Sequence, residues 1–562
     1  MKRDEFLSAI AALTGGTLLS GCEKRSLGMF AAGAASSWRS YEVYDPTVDI
    51  YTVTSNQSHD ATISWFQDRW FALWDDGTEA AGQRIRQSTS FDLSTWTTPI
   101  EVFTTSAGSV NPVTALASEQ HYQPALVIVD GELMCFWSDS SSCYLSKLSV
   151  STGLWTNSKL YGISGAIYSL PNFDGYDWSV FPSNGGIVLD SGRILVPITL
   201  QRRDGTPFME RTKRDSVIYS DDNGVTWSYS EGTKLTEANQ WEATVWEPSV
   251  GVVNMFARNN RTGVPLIPKQ NLKFSSSADE GETWVVPQVL VPIETAMSRM
   301  HVVNLGERNA MAHNDWALTN TNHAVNRRNL SLFFNRGNGF NFTPAVNFAA
   351  DDVVNLTDYP QIGIHGNTIA VIYTWQALSG MTSRQTKVAK IAPLPDPNTF
   401  YIYPRKPRGL VEQDTVDSRD VLRFHNDSSS AGLDLETNDA DIHEVTIELC
   451  IKIESGTKQT LLAMDEPSVK LIAQDGDIIV KKWQGGTQEL VCGTYSGWTD
   501  ISVVTGGGIT KVSINGGAYT TIALSPVGPM RAFLGENFYS GITEKPGAAF
   551  VVDIDSIRTK VE

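Results

Sequence analysis

Ionisable side chains recur at one kind of place in this chain, just ahead of an apolar run and often beside a proline. They are His59 and Asp60 before Ala-Thr-Ile, His121 before Tyr-Gln-Pro-Ala-Leu, Glu247 before Pro-Ser-Val, Arg299 between Ser298 and Met300, and Tyr359 before Pro-Gln-Ile. Imidazole, carboxylate, guanidinium and phenol are together the groups needed to hold an anion and to move protons near neutral pH. The chain as a whole carries a formal charge of −18, from 44 basic and 62 acidic residues. That balance excludes a protein that tracks nucleic-acid phosphates, which needs a basic face. An anionic substrate must therefore be drawn in by a local group of arginines working against the overall field. His301, His313 and His323 lie close in sequence but fit no single strand or helix face, so no metal is expected, and no cofactor either. A Gly-x-Ser-x-Gly turn in a strand–turn–helix setting does not occur, which removes a serine-hydrolase reading.

Residues at five sequence-distant positions can meet only if the intervening chain closes on itself. The 562 residues contain 45 Gly, 16 Trp and 17 Tyr, a composition suited to many short strands and turns. A unit of polar start, apolar strand, turn and second strand recurs from His59, His121, Val180, Trp246, Ser298 and Asp358, roughly 50–65 residues apart. Second strands include Trp70–Trp74, Leu133–Trp137, Arg193–Pro197 and Ile369–Tyr373. Each unit holds about four short strands, the content of one propeller blade. The fold class is therefore all-β, a six-bladed β-propeller over residues 40–395. Its innermost strands converge on one mouth, and convergent polar groups at a concave mouth are the default site.

The ends of two units carry a sharper pattern. Ser220-Asp-Asp222-Asn-Gly224-Val-Thr226-Trp227 and Ser277-Ala-Asp279-Glu-Gly281-Glu-Thr283-Trp284 both read S-x-D-x-G-x-T-W. Asp accepts backbone N–H bonds in such a hairpin, Gly takes positive φ, and Trp packs between sheets. Degenerate copies stand at Ser90-Phe-Asp92 with Thr95-Trp96, at Ser149 with Gly153-Leu-Trp155, and at Asn335 to Phe342. These hairpins resemble the Asp-box of the sialidase (neuraminidase) superfamily. The resemblance speaks for fold, since Asp-boxes lie away from the chemistry.

The resemblance implies roles residue by residue: three arginines for the substrate carboxylate, a Tyr nucleophile polarised by a Glu, and an Asp acid/base. Tyr359 matches the nucleophile and Glu247, in Trp-Glu-Pro-Ser-Val, its partner. Arg258 matches the second arginine, and Arg327 or Arg328 the third. Asp75 or Asp76, ending the Trp70–Trp74 strand, matches the acid/base. His121 and Arg299 are further candidates to line the funnel and bind substrate. A neutral phenol approaches an anionic sugar without charge repulsion, which suits the role. One departure stands out. The first arginine belongs to an Arg-Ile-Pro motif that this chain lacks, and His59 occupies its place. Losing one arm of the clamp weakens carboxylate recognition. A His and a Tyr beside arginines also suit β-elimination at a uronate, as in certain ulvan lyases with sialidase-like propellers. Each of these side chains has a purely structural alternative as well: core aromatic, inter-blade ion pair or hydrogen-bonded histidine.

Residues 1–22 open with Lys2 and Arg3, continue through an apolar stretch from Phe6 to Leu19, and end in Leu19-Ser20-Gly21-Cys22. This resembles a bacterial lipobox with Cys22 as the lipidated residue, and implies export as an anchored or secreted protein. The apolar stretch is too short to span a bilayer as a mature helix. In an exported chain Cys135–Cys143 and Cys450–Cys492 are possible bridges, with free buried thiols the alternative. Pro393-Leu-Pro-Asp-Pro397 and Pro404-Arg-Lys-Pro-Arg408 mark a linker at 396–409. Alternating strands in 410–562, with a hairpin turn at Asn515-Gly516, indicate a β-sandwich of jelly-roll type. Its ending, Asp553 to Arg558, resembles laminin-G or concanavalin-like domains appended to glycan enzymes. The expectation from sequence is a monomeric carbohydrate-active enzyme acting on a terminal acidic sugar by hydrolysis. A polysaccharide lyase and a non-catalytic glycan-binding protein are the alternatives.

Overall fold

A computed structural model describes residues 39–54, 58–78, 81–104, 120–139, 141–206, 211–230, 240–259, 270–285, 288–295, 298–306, 308–314, 327, 329–336, 342–349, 355–377, 384–396, 399–402, 411–424, 432–434, 444–455, 458–465, 469–482, 488–506, 509–523, 531–535 and 549–561. Cys22, Arg328 and His323 lie outside the described residues, as does most of the Asn335 to Phe342 turn.

Six sheets, antiparallel apart from the short Tyr161–Tyr168 pairing, are built in sequence order on the strands Ser58–Phe66, Tyr122–Val129, Tyr176–Pro182, Gln240–Ser249, His301–Asn304 and Asn355–His365. We number them blades 1 to 6. The middle of each blade's second strand is buried on both faces, not alternating, and polar residues such as Asp75, Arg258 and His313 stand towards its ends. Ile194–Leu200 of blade 3, for example, is buried at every position. Such a strand packs neighbouring blades on both faces, so apolar side chains fill both sides of its middle. Six separate apolar clusters follow, one between each successive pair of blades. The cluster joining Ile63, Trp70 and Trp74 of blade 1 to Ala370, Ile372 and Val388 of blade 6 closes the ring. Closure is reinforced by Thr47–Thr54, which pairs with Arg384–Ala392 as the outer strand of blade 6.

The unit-end hairpins form as the motif requires. Asp222 accepts from the backbone N–H of Thr226 at 2.8 Å and from its hydroxyl at 2.6 Å, while Ser220 Oγ accepts from Gly224 N–H at 2.8 Å. The Trp227 indole donates to the Gly224 carbonyl and packs edge-on against Phe136 of blade 2. Gly224 sits at φ +78°, with the Met134 methyl 2.9 Å from where a Cβ would lie. In the degenerate copy Leu93 holds the equivalent turn at φ +72°, its carbonyl taking the Trp96 indole N–H at 2.8 Å.

A second pair of sheets follows the propeller. The larger runs Phe400–Ile402, Arg39–Val43, Arg558–Val561, Glu444–Ser455, Trp498–Gly506, Ile509–Ile514, Thr520–Ala523, with Ala549–Asp553, Arg419–Phe424 and Val411–Val416 attached beside Glu444–Ser455. The smaller runs Gly432–Asp434, Arg531–Gly535, Lys458–Asp465, Val469–Gln474, Asp477–Lys482, Gln488–Thr494. Ile447, Leu449, Leu462, Leu471 and Val480 fill one core between them. Two boundaries therefore differ from the sequence reading. The strand Arg39–Val43 belongs to this sandwich, and part of the 396–409 linker is a strand paired parallel to it.

All four cysteines among the described residues are free. Strand parity explains the first pair. Cys143 faces Ser138 across the hairpin and Cys135 faces Ser146, so the two thiols lie in the cores on opposite faces of blade 2. Cys450 and Cys492 stand on different sheets of the sandwich.

Candidate active site

The inner strands of blades 1, 2, 4 and 6 share a device that positions the site. Each pairing slips by one residue near its start, between His59 and Thr62, Tyr122 and Ala125, Trp241 and Thr244, and Asp358 and Gln361. Within each bulge one non-glycine residue takes a left-handed conformation: Asp60 at φ +48°, Gln123 at +54°, Glu242 at +60° and Tyr359 at +54°. Such a backbone costs on the order of 1–3 kcal/mol and re-aims the side chain away from the ladder. Three of the four re-aimed side chains, Asp60, Glu242 and Tyr359, gather in one cluster.

Tyr359 is the centre of that cluster. Its hydroxyl accepts from Arg258 Nη1 at 3.3 Å and from Arg327 Nη2 at 3.4 Å. The same Arg258 Nη1 donates to Glu242 Oε2 at 2.7 Å, and Arg327 Nη1 to Asp358 Oδ2 at 2.6 Å. Arg327 and Arg299 lie over the phenol ring, 4.9 and 5.3 Å from its centroid. The His59 ring meets it edge-on at 4.3 Å. Burial, with the Glu242 charge adding to it against the two arginines, pushes the phenol up to about 12, so it is protonated at neutral pH. His59 Nδ1 lies 2.9 Å from Asp60 Oδ2, and Arg299 Nη1 lies 3.4 Å from Asp60 Oδ1. Burial alone would raise the Asp60 carboxyl, but His59 and Arg299 hold it well below the usual carboxylate range. Three guanidiniums thus stand with three carboxylates, and the Arg258 Nε–H is buried with no partner among the described residues.

Arg258, Arg327, Tyr359 and His59, far apart in sequence, are brought together. Glu247 is not among them. Its carboxylate accepts from Asp190 N–H at 2.8 Å and Gly251 N–H at 2.9 Å, at the far hairpin end of its strand. Glu242, five residues earlier, stands where Glu247 was expected. The signal was present as a repeat, since Asp60-Ala-Thr-Ile in blade 1 and Glu242-Ala-Thr-Val in blade 4 fill the same bulge. The Glu-Pro step of Glu247 mimicked the Tyr-Pro step of Tyr359 and hid it.

Asp75 is also engaged elsewhere, accepting from Gln123 N–H with both oxygens at 3.1 and 3.2 Å. Asp76 pairs with Arg86 Nε at 2.6 Å, its carboxyl raised by burial. Arg299 is wholly buried and donates to the carbonyls of Ser183 in blade 3 and Ala61 in blade 1 at 3.1 and 3.3 Å. Packed against the phenol ring and fully buried, it ties blades 1, 3 and 5 together. The His121 ring is fully buried against Trp137 at 4.7 Å, inside blade 2. His301 accepts from Ile362 N–H, and His313 stacks on Phe333, both structural histidines with burial pushing them down to about 3 and 4.

Two neighbours were not anticipated. Trp241, half-buried, carries the Lys213 ammonium 3.8 Å above its ring, with Arg258 at 6.0 Å. Asp358 sits directly before the phenol residue and holds Arg327 in place.

Residues 68–372, more than half of the chain, match the BNR repeat-like domain family. Among solved structures the chain resembles the sialidase of Trypanosoma rangeli. Its covalent intermediate with 2,3-difluorosialic acid superposes with TM-score 0.51 at 12% identity, covering 90% of this chain and 91% of that one. Another structure of the same sialidase gives 0.51 at 12% identity, covering 94% and 96%. At that identity the likeness is one of fold. No curated protein matches the sequence.

Proposed function

The chain belongs to the BNR repeat-like domain family and has the propeller of the sialidase superfamily, and from that premise we propose that it is a glycoside hydrolase acting on a carboxylated sugar. One observation carries the reading: the Tyr359 hydroxyl is held between Arg258 and Arg327 while the Glu242 carboxylate sits on the same Arg258 nitrogen. The phenol, protonated and uncharged, can lie beside an anionic sugar that a carboxylate nucleophile would repel. As Tyr359 Oη attacks the anomeric carbon, its proton passes to Glu242, and the two guanidiniums stabilise charge developing on the phenol oxygen. Arg258 and Arg327 also supply the donors for the sugar's carboxylate, and the unpartnered Nε–H of Arg258 supports that role. Export and anchoring through Cys22 complete the proposal and rest on the pattern of residues 1–22.

The test is release of a fluorophore from aryl glycosides of sialic and uronic acids by the purified protein. Tyr359→Phe is expected to lower turnover by at least about 10³-fold. Incubation with 2,3-difluorosialic acid is expected to add the sugar's mass to the peptide containing Tyr359. An unsaturated, ultraviolet-absorbing product from a polyuronate would replace hydrolysis with β-elimination. Glycan binding with no product, or full activity in Tyr359→Phe, would overturn the proposal.

A further inference from the structure

A retaining glycosidase also needs a group that protonates the departing oxygen and later deprotonates water. Neither aspartate expected in that role is available. Both Asp75 oxygens take the Gln123 N–H, and Asp76 is paired with Arg86. Resting on the hydrolase reading above, we infer that the His59–Asp60 pair performs this proton transfer, with His59 the catalytic residue and Asp60 its positioning residue.

Three observations converge on it. His59 Nδ1 is fixed on Asp60 at 2.9 Å, which leaves Nε2 without a hydrogen-bond partner among the described residues. The His59 ring packs against the Tyr359 ring with centroids 4.3 Å apart, which puts the imidazole beside the phenol on which the sugar would be seated. Asp60 sits in the strained left-handed bulge that also presents Glu242 and Tyr359 on their own blades. The charged and titratable groups packed around the pair are Arg299 from blade 5, Arg384 and the neutral Tyr359 from blade 6, and Asp75 across the strand pairing in blade 1. His59 and, after it, Arg299 keep Asp60 an anion against its burial, so the carboxylate orients the imidazole and balances it when protonated.

The chemistry balances. In the first half, Tyr359 Oη bonds to the anomeric carbon, the glycosidic C–O bond breaks, and the departing oxygen takes the proton from His59 Nε2. The phenol proton goes to Glu242. In the second half, water gives a proton to His59 Nε2 and its oxygen bonds to the anomeric carbon. The Tyr359 C–O bond breaks, and the phenolate recovers its proton from Glu242.

Leaving-group acidity distinguishes this role from a structural one. His59→Ala is expected to lose about 10²–10⁴-fold in kcat on a sugar-to-sugar linkage, but no more than about tenfold on a nitrophenyl glycoside, whose leaving group needs no proton. Added imidazole is expected to restore part of the loss. Asp60→Asn is expected to lower kcat on the poor leaving group with KM within about twofold. Equal losses on both substrates, with no imidazole rescue, would overturn the inference. His59→Gln, judged by the same ratio, decides the matter if His59→Ala fails to fold. Failure of the underlying reading looks different: Tyr359→Phe would then retain activity, or the wild type would cleave neither substrate.

Discussion

At the scale of single residues, the site is set by which side chain occupies a bulge. Glu242 and Glu247 lie on one strand and differ by five positions, yet one is 3% exposed beside Arg258 and the other caps a hairpin. Their substitutions should therefore separate. Glu242→Gln keeps the shape and one acceptor for Arg258 but cannot receive the phenol proton, so kcat should fall about 10²–10⁴-fold. It also leaves Arg258 buried without its counter-charge, and removing one partner of a buried pair costs roughly 3–5 kcal/mol. Glu247→Gln should leave turnover within about twofold. A pair of kinetic and thermal-melting measurements checks both. The sequence singles out Tyr359, Arg258 and His59, with Arg327 or Arg328; the structure places Tyr359, Arg258, Arg327 and His59 in one cluster, and that depends on the register of different strands.

At the scale of elements, the strand Lys213–Ser220 carries two buried titratable side chains, Lys213 and Asp215. Burial pushes the Asp215 carboxyl up to about 8, against the Thr199 hydroxyl bond and with the Glu242 charge adding to it. Burial, helped by Arg258, pushes the Lys213 ammonium down to about 8. Asp215 titrates near 4 when unfolded. Below pH 4 both states hold the proton and its contribution is whole. Between pH 4 and 8 the unfolded chain gives the proton up while the folded chain keeps it, so stability falls as pH rises. Lys213 acts in the adjoining window, restoring stability only as pH rises from about 8 towards 10.5. Asp215→Asn should therefore gain melting temperature relative to the wild type progressively from pH 4 to 8. The relative gain corresponds to a few kcal/mol at most and is flat above pH 8. Melting curves across that range check it, and a difference independent of pH would show that Asp215 is ionised in the folded protein. The Asp-box hairpins were legible to the residue because their bonds are local, closing within eight positions.

At the scale of the whole molecule, the chain threads two domains with one short segment. Arg39–Val43 pairs with Arg558–Val561 in the sandwich, and four residues later Thr47–Thr54 closes the propeller. Tyr44 stands between them. Its hydroxyl donates to the Pro393 carbonyl at 2.6 Å, and its ring packs edge-on against Phe334 of blade 5 and Tyr401 of the sandwich. Arg308 of blade 5 lies over the same Tyr401 and donates to the carbonyls of Asp396 and Thr399. A joint shared by both domains should make them unfold together. Tyr44→Ala should cost about 3–5 kcal/mol and lower one common calorimetric transition. Two separating transitions, with only one displaced, would show that the joint does not couple them.

What the sequence determined by itself is what short-range physics controls: strand content from apolar runs, turns from Asp, Gly and Asn, six units from their repetition, and the Asp-box hairpins to the atom. It also singled out the Tyr359 phenol, Arg258 and one of Arg327 and Arg328 as groups expected to converge. The tertiary structure alone decided that Glu242 and not Glu247 joins them, that Asp60 pairs with His59 and Arg299, that Asp75 and Asp76 are spent elsewhere, and that the first strand belongs to the last sheet. The reason is physical. A one-residue slip between strands turns a side chain to the other face, and that slip is fixed by contacts between blades rather than by neighbours along the chain.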